Sequence, residues 1–132
     1  MRFSMGIKVT PEELEVARPV DLNCSKHLSV INDIWSFEKE LIASKTLHEE
    51  GGVLCTCVSI FADEAQISTD AAKRVLYNLC REWELRHRLL VEKVLAKNDT
   101  PTLRAYLKGL EYQMSGNELW SQTTLRYLAP AE

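Results

Sequence analysis

The chain has 132 residues, with 16 lysines and arginines against 19 acidic residues and a net charge of −3. That is one domain's worth of chain, and its slight acidity excludes a protein devoted to gripping nucleic acid or anionic membrane. With no membrane-length apolar run, no signal-peptide pattern and four cysteines that read as reduced thiols, a soluble, cytoplasmic, helix-rich segment is expected.

The first seven residues, MRFSMGI, are apolar from the outset and lack a cap. They read either as a buried N-terminal segment or as a chain entering mid-helix. Thr10-Pro11-Glu12-Glu13 is a helix start: Thr10 can cap, Pro11 suits the first helical position and Glu13 completes a capping box. That helix is expected to be short, because Pro19 removes a donor and disfavours helical geometry at Arg18. A second helix is expected from about Val20 to Lys45, ended by a turn between His48 and Gly52. A third apolar stretch spans Val53 to Ala65, and Ser68-Thr69-Asp70 opens a long helix to about Lys97. Asp99-Thr100-Pro101 repeats the cap-then-proline signature and opens a last helix to about Tyr127. No segment alternates with period two, so the fold class is an all-α helical bundle.

The Val20–Lys45 segment carries the chemistry. At about 100° per residue, its apolar side chains cover most of the circumference, while Ser25, Lys26, Ser29, Asn32, Asp33, Ser36 and Glu40 share one wedge. A wedge that merely faced water would favour Lys, Glu, Gln and Arg; serine and asparagine are poor mid-helix residues. Asn32, Ser36 and Glu40 stand at i, i+4 and i+8, which stacks an amide, a hydroxyl and a carboxylate one turn apart. Such hard oxygen donors suit Mg²⁺, with phosphates and waters completing an octahedron, and do not suit zinc.

The string Asn32-Asp33-Ile34-Trp35-Ser36-Phe37-Glu38-Lys39-Glu40 resembles the second metal-binding motif of class I terpene cyclases, (N/D)-D-x-x-(S/T)-x-x-x-E, at every fixed position. A second signature lies in NELWSQTTLRY, with Trp120 followed by Arg126-Tyr127. The resemblance covers nearly the whole chain and is nearest to the fungal sesquiterpene cyclases of the aristolochene synthase type. It implies a partial class I terpene synthase fold that binds farnesyl diphosphate with three Mg²⁺ ions. In that family Asn32, Ser36 and Glu40 would ligate one ion, while Lys39, Arg126 and the Tyr127 hydroxyl would bind the diphosphate. Trp120 would face carbocation intermediates with its π surface. Gly116 and Gly109 share the Trp120 face of that helix, which fits a cavity wall and equally fits close helix packing.

The family's upstream aspartate-rich motif, D-D-x-x-D/E, occurs nowhere in the chain, and neither Arg2 nor Arg18 stands far enough from Asn32 to be its diphosphate-sensing arginine. The chain is therefore expected to be the C-terminal portion of a cyclase, with MRFSMGI the second half of a helix, and to be inactive alone. Exposed apolar faces would then promote self-association. Two other readings stay open: a non-catalytic helical fragment or interaction module, and a relative of prenyl diphosphate synthases, which usually carry a second aspartate-rich motif where this chain has NDIWSFEKE. Cys24, Cys55, Cys57 and Cys80 read as small buried hydrophobes, and His27, His48 and His87 spell no triad or zinc site. Arg81, Glu82, Glu84, Arg86 and Arg88 read as a solvated face.

Overall fold

The structure, a computed structural model, describes residues 6–46, 54 and 56–127. Within these the chain forms α1 (Pro11–Thr46), α2 (Cys57–Ala65), α3 (Thr69–Lys97) and α4 (Pro101–Thr123), with no strand among the described residues. The all-α expectation holds.

The helix starts are set locally. At α1 the Thr10 N–H donates to Glu13 Oε2 at 3.0 Å while the Glu13 N–H donates to Thr10 Oγ1 at 3.2 Å, a reciprocal capping box. Thr56 caps α2 through a box with Ser59, which the sequence reading missed, and Ser68 caps α3. Thr100 caps α4 by accepting from the Leu103 N–H, and its hydroxyl also donates to the Glu13 carboxylate.

Two expected boundaries are wrong. α1 runs unbroken through Pro19 for 36 residues. Pro19 and Glu15 are both exposed, so the Glu15 carbonyl that proline cannot bond can be hydrated. Ala17, Val20 and Cys24 around it are sealed into the core with Leu103, Leu107 and Leu110, and that burial outweighs the local penalty. α4 ends at Thr123 and not near Tyr127, which lies in a turn. Gly6 to Thr10 are not helical, and Gly6 has φ +63°, so the half-helix reading of MRFSMGI fails at its last two residues. Residues 1–5, the expected His48–Gly52 turn and Cys55 lie outside the described residues.

Cross-contacts fix the layout. Glu13 meets Thr100, Asp21 meets Tyr106 at 2.6 Å, and Asn32 meets Tyr127 at 2.7 Å, so α1 and α4 run parallel. Asn23 meets the Trp83 carbonyl at 2.8 Å and Glu38 meets Lys73 at 2.5 Å, so α3 runs antiparallel to α1. One core joins α1, α4 and the end of α3; a second gathers Phe37, Val58, Ala62, Ala72 and Leu76 where α2 and α3 cover the later half of α1.

The Thr100 knot gives the first prediction. Thr100→Ala should destabilise the fold by about 1–2 kcal/mol through the lost cap, read from the urea midpoint. The Thr100 hydroxyl, followed by the Thr10 backbone, holds the Glu13 carboxyl below its ordinary 4.5. A lowered folded pKa gives stability that is present above the ordinary value and lost as pH falls through the folded one. The Thr100→Ala deficit should therefore shrink in acid below about pH 4.

Candidate metal and diphosphate site

The second half of α1 presents the donor stripe as the 3.6-residue period requires. Ser36 is 2% exposed, and its Oγ has no hydrogen-bond partner among the described residues. A buried hydroxyl without a partner is costly, so this one is open to a ligand. Asn32 donates through Nδ2 to the Tyr127 hydroxyl at 2.7 Å, and its amide oxygen has no side-chain partner among the described residues. Glu40 is half-buried and forms no ion pair among the described residues. Amide oxygen, hydroxyl and carboxylate thus remain available on one face, and this set fits a hard divalent cation.

The neighbouring acid has another task. Asp33 Oδ2 accepts from the Cys57 N–H at 2.8 Å, so it anchors the N-terminus of α2, where a negative charge is favoured. The motif's acidic pair therefore contributes a structural tie besides any ligand.

Tyr127 links the stripe to α4. Its ring packs edge-to-face on Trp120, with centroids 5.4 Å apart and planes at 78°. Asn32, Tyr127 and Trp120 form one continuous contact. Lys39 and Arg126 do not join it: both side chains are exposed and form no ion pair among the described residues. Trp120 is 47% exposed, and a Cβ built on Gly116, one turn earlier, would meet nothing within 4 Å, so that wall of α4 is open.

A cavity of about 750 Å³ lies elsewhere: Ile34, Trp35, Glu38, Tyr77 and Tyr127 are among its walls. Ile34 and Glu38 point away from the donor stripe, and Tyr127 alone is shared with the predicted residues. The chemistry of the donors, and not the size of this cavity, locates the candidate site.

Residues 1–86 match the family described as terpene synthase family 2, C-terminal metal binding. The chain belongs to that family. An aristolochene synthase of Aspergillus terreus is 66% identical over 128 residues, covering 96% of this chain and 40% of that protein. A (+)-aristolochene synthase of Penicillium expansum is 64% identical over 128 residues, covering 96% of the chain and 39% of that protein. The crystal structure of aristolochene synthase from Penicillium roqueforti superposes with a TM-score of 0.80 at 45% identity, over 94% of this chain and 40% of that one. The chain thus spans about 40% of the length of these relatives. Its helices take the terpene synthase fold, and the family is a metal-binding one. No helix among the described residues is long and apolar enough to cross a membrane.

The terpene synthase segment also holds a polar cluster that sequence reasoning missed. His27, Glu84 and Glu118 bring ligand-type atoms within 4.8 Å of one another. Arg81 already supplies a cation there: its Nη2 meets Glu84 Oε1 at 2.8 Å and Glu118 Oε2 at 2.5 Å, while His27 Nε2 meets Glu84 Oε1 at 2.8 Å. Arg81 and Glu84 are therefore a partly buried inter-helix network and not part of a solvated face. Nearby His87 is buried, neither ring nitrogen has a partner among the described residues, and burial lowers its pKa. Cys24 and Cys80 are buried as expected while Cys57 is half-buried; burial pushes Cys80 and Cys57 up to about 12 and Cys24 up to about 11, which makes them inert.

Proposed function

We propose that residues 1–132 form the C-terminal, metal- and diphosphate-binding portion of a sesquiterpene cyclase, which ionises farnesyl diphosphate with Mg²⁺ and closes the carbocation to aristolochene or a related hydrocarbon. The observation that carries this reading is the donor stripe itself, with Ser36 buried and unpartnered and Asn32 oriented by Tyr127. Asn32, Ser36 and Glu40 would hold one of three Mg²⁺ ions, which when bound supplies positive charge to the departing diphosphate. As the C–O bond breaks, the diphosphate would leave with the electron pair, and Lys39, Arg126 and the Tyr127 hydroxyl would donate to its oxygens. Both cations are exposed and form no ion pair among the described residues, so they can turn toward an anion without breaking one of those bonds. Trp120 would then face the cation left behind, and loss of a proton would complete the hydrocarbon.

Within this reading the chain by itself lacks the opposing aspartate-rich motif and is inactive, and the rest of the cyclase covers its exposed apolar residues, such as Leu79, Leu85 and Leu89. Left uncovered, they promote self-association. The test is a chimaera in which this chain replaces the matching 128 residues of the Aspergillus terreus enzyme. Given farnesyl diphosphate and Mg²⁺, the chimaera should release a cyclic sesquiterpene, and the 132-residue chain alone should release none above a no-enzyme control. A folded chimaera that releases none would favour the non-catalytic reading. Linear prenyl diphosphates of greater length, formed on adding isopentenyl diphosphate, would favour the prenyl diphosphate synthase reading.

A further inference from the structure

The apolar hold on α4 ends early. Leu103, Tyr106, Leu107, Leu110 and Met114 seat it against α1, but after Met114 its one buried residue is Ser121, whose hydroxyl has no partner among the described residues. The last turns of α4 are held instead by Glu118. Its Oε1 accepts from the Tyr77 hydroxyl at 2.8 Å, and its Oε2 accepts from Arg81. Its side chain is only 12% exposed. Burial alone would push this carboxyl up, but the Arg81 and Tyr77 hydrogen bonds prevail and its pKa lies below the ordinary 4.5. Arg81 in turn stacks over the Tyr77 ring at 4.6 Å and reaches His27 on α1 through Glu84.

Trp120 lies two residues beyond Glu118, about 200° round the helix and so on the side away from α3. Its described ring partner is Tyr127. Among the described residues no other ring contacts it, so the indole takes its direction from the rotation of α4 and from Tyr127, which Asn32 holds. A rotation of about 20°, at a side-chain radius of ~5–6 Å, would move the ring by ~2 Å. Displacements of about 1 Å can change the rate of a reacting step by orders of magnitude.

We infer that Glu118, clamped by Tyr77 and Arg81, is a positioning residue that sets the rotation of the end of α4 and thereby aims Trp120 at the cationic intermediates. This rests on the cyclase reading above. The clamp never touches substrate; it acts through the indole. Since the cations form only after diphosphate departure, loosening the clamp alters how they partition between products more than it alters substrate binding.

The test uses the chimaera labelled with 5-fluorotryptophan, whose Trp120 fluorine resonance is assigned by its loss in Trp120→Phe. Glu118→Gln should shift or broaden the Trp120 resonance and leave that of Trp83 in place. Tyr77→Phe, which removes one hydroxyl and guards against misfolding of the first variant, should act in the same direction to a smaller extent. Both should change product ratios several-fold, with KM held within about two-fold. An unmoved Trp120 resonance in both variants would overturn the inference, as would parental product ratios from variants in which the resonance has moved. If the unsubstituted chimaera forms no hydrocarbon, the cyclase reading fails by itself, and the resonances still decide whether Glu118 sets the position of Trp120.

Discussion

Glu40→Gln in the chimaera should reduce turnover roughly a hundred-fold or more at a Mg²⁺ concentration that saturates the parent. The substitution keeps the side chain's shape and removes the one negative charge among Asn32, Ser36 and Glu40. Loss of a residue that merely orients a metal ligand typically costs about 10–100-fold, so loss of the charged ligand should cost at least as much. Raising Mg²⁺ should restore part of the activity, because the remaining amide and hydroxyl still offer oxygen. Circular dichroism should be unchanged, since Glu40 forms no ion pair among the described residues. Parental kinetics at low Mg²⁺ would remove Glu40 from the metal site.

Trp120→Leu should redirect the reaction more than it slows binding. A cation over a desolvated indole gains about 2 kcal/mol, which is roughly a thirty-fold preference between competing paths. Leucine retains apolar bulk but has no π face, so premature deprotonation to acyclic or monocyclic hydrocarbon should rise while KM changes little. Trp120→Phe should be milder. In the described chain the indole is 47% exposed, so this effect belongs to the assembled cyclase, in which water is kept from the cation. Gas chromatography of the extracted hydrocarbons measures it. Parental products at the parental rate from both variants would reduce Trp120 to a packing residue.

How far the sequence could be read depends on the reach of each interaction. The caps at Thr10 and Thr100 are legible because donor and acceptor lie three residues apart. The stripe of Asn32, Ser36 and Glu40 is legible because a helix repeats every 3.6 residues. Pro19 misleads because its local penalty is overridden by burial of Ala17 and Val20, which no local rule registers. The second role of Asp33 is hidden because its partner, Cys57, is 24 residues away. The clamp around Arg81 is hidden for the same reason: His27 meets Glu84 across 57 residues, and Arg81 meets Glu118 across 37. The one hint was the placement of Tyr77, Arg81 and Glu84 at i, i+4 and i+7, a polar line on a helix with an otherwise amphipathic pattern. Nothing in the sequence showed whether that line met water or another helix.

The parallel course of α1 and α4 has an electrostatic consequence. Peptide dipoles leave about half a negative charge at each helix's carbonyl end. In an antiparallel pair neighbouring ends would largely cancel, but here both carbonyl ends point toward the same pole of the bundle: α4 ends at Thr123, beside Trp120, while α1 runs on to Thr46. The opposite pole gathers two amino ends, and Glu13, bonded to the caps of both helices, supplies the compensating anion. The antiparallel α3 offsets one of these two dipoles, so among α1, α3 and α4 one helix dipole remains uncompensated, with its negative end toward the pole of Trp120. In the cyclase reading proposed above, metal ions and short-lived carbocations, both positive, would lie toward the pole whose backbone charge favours them.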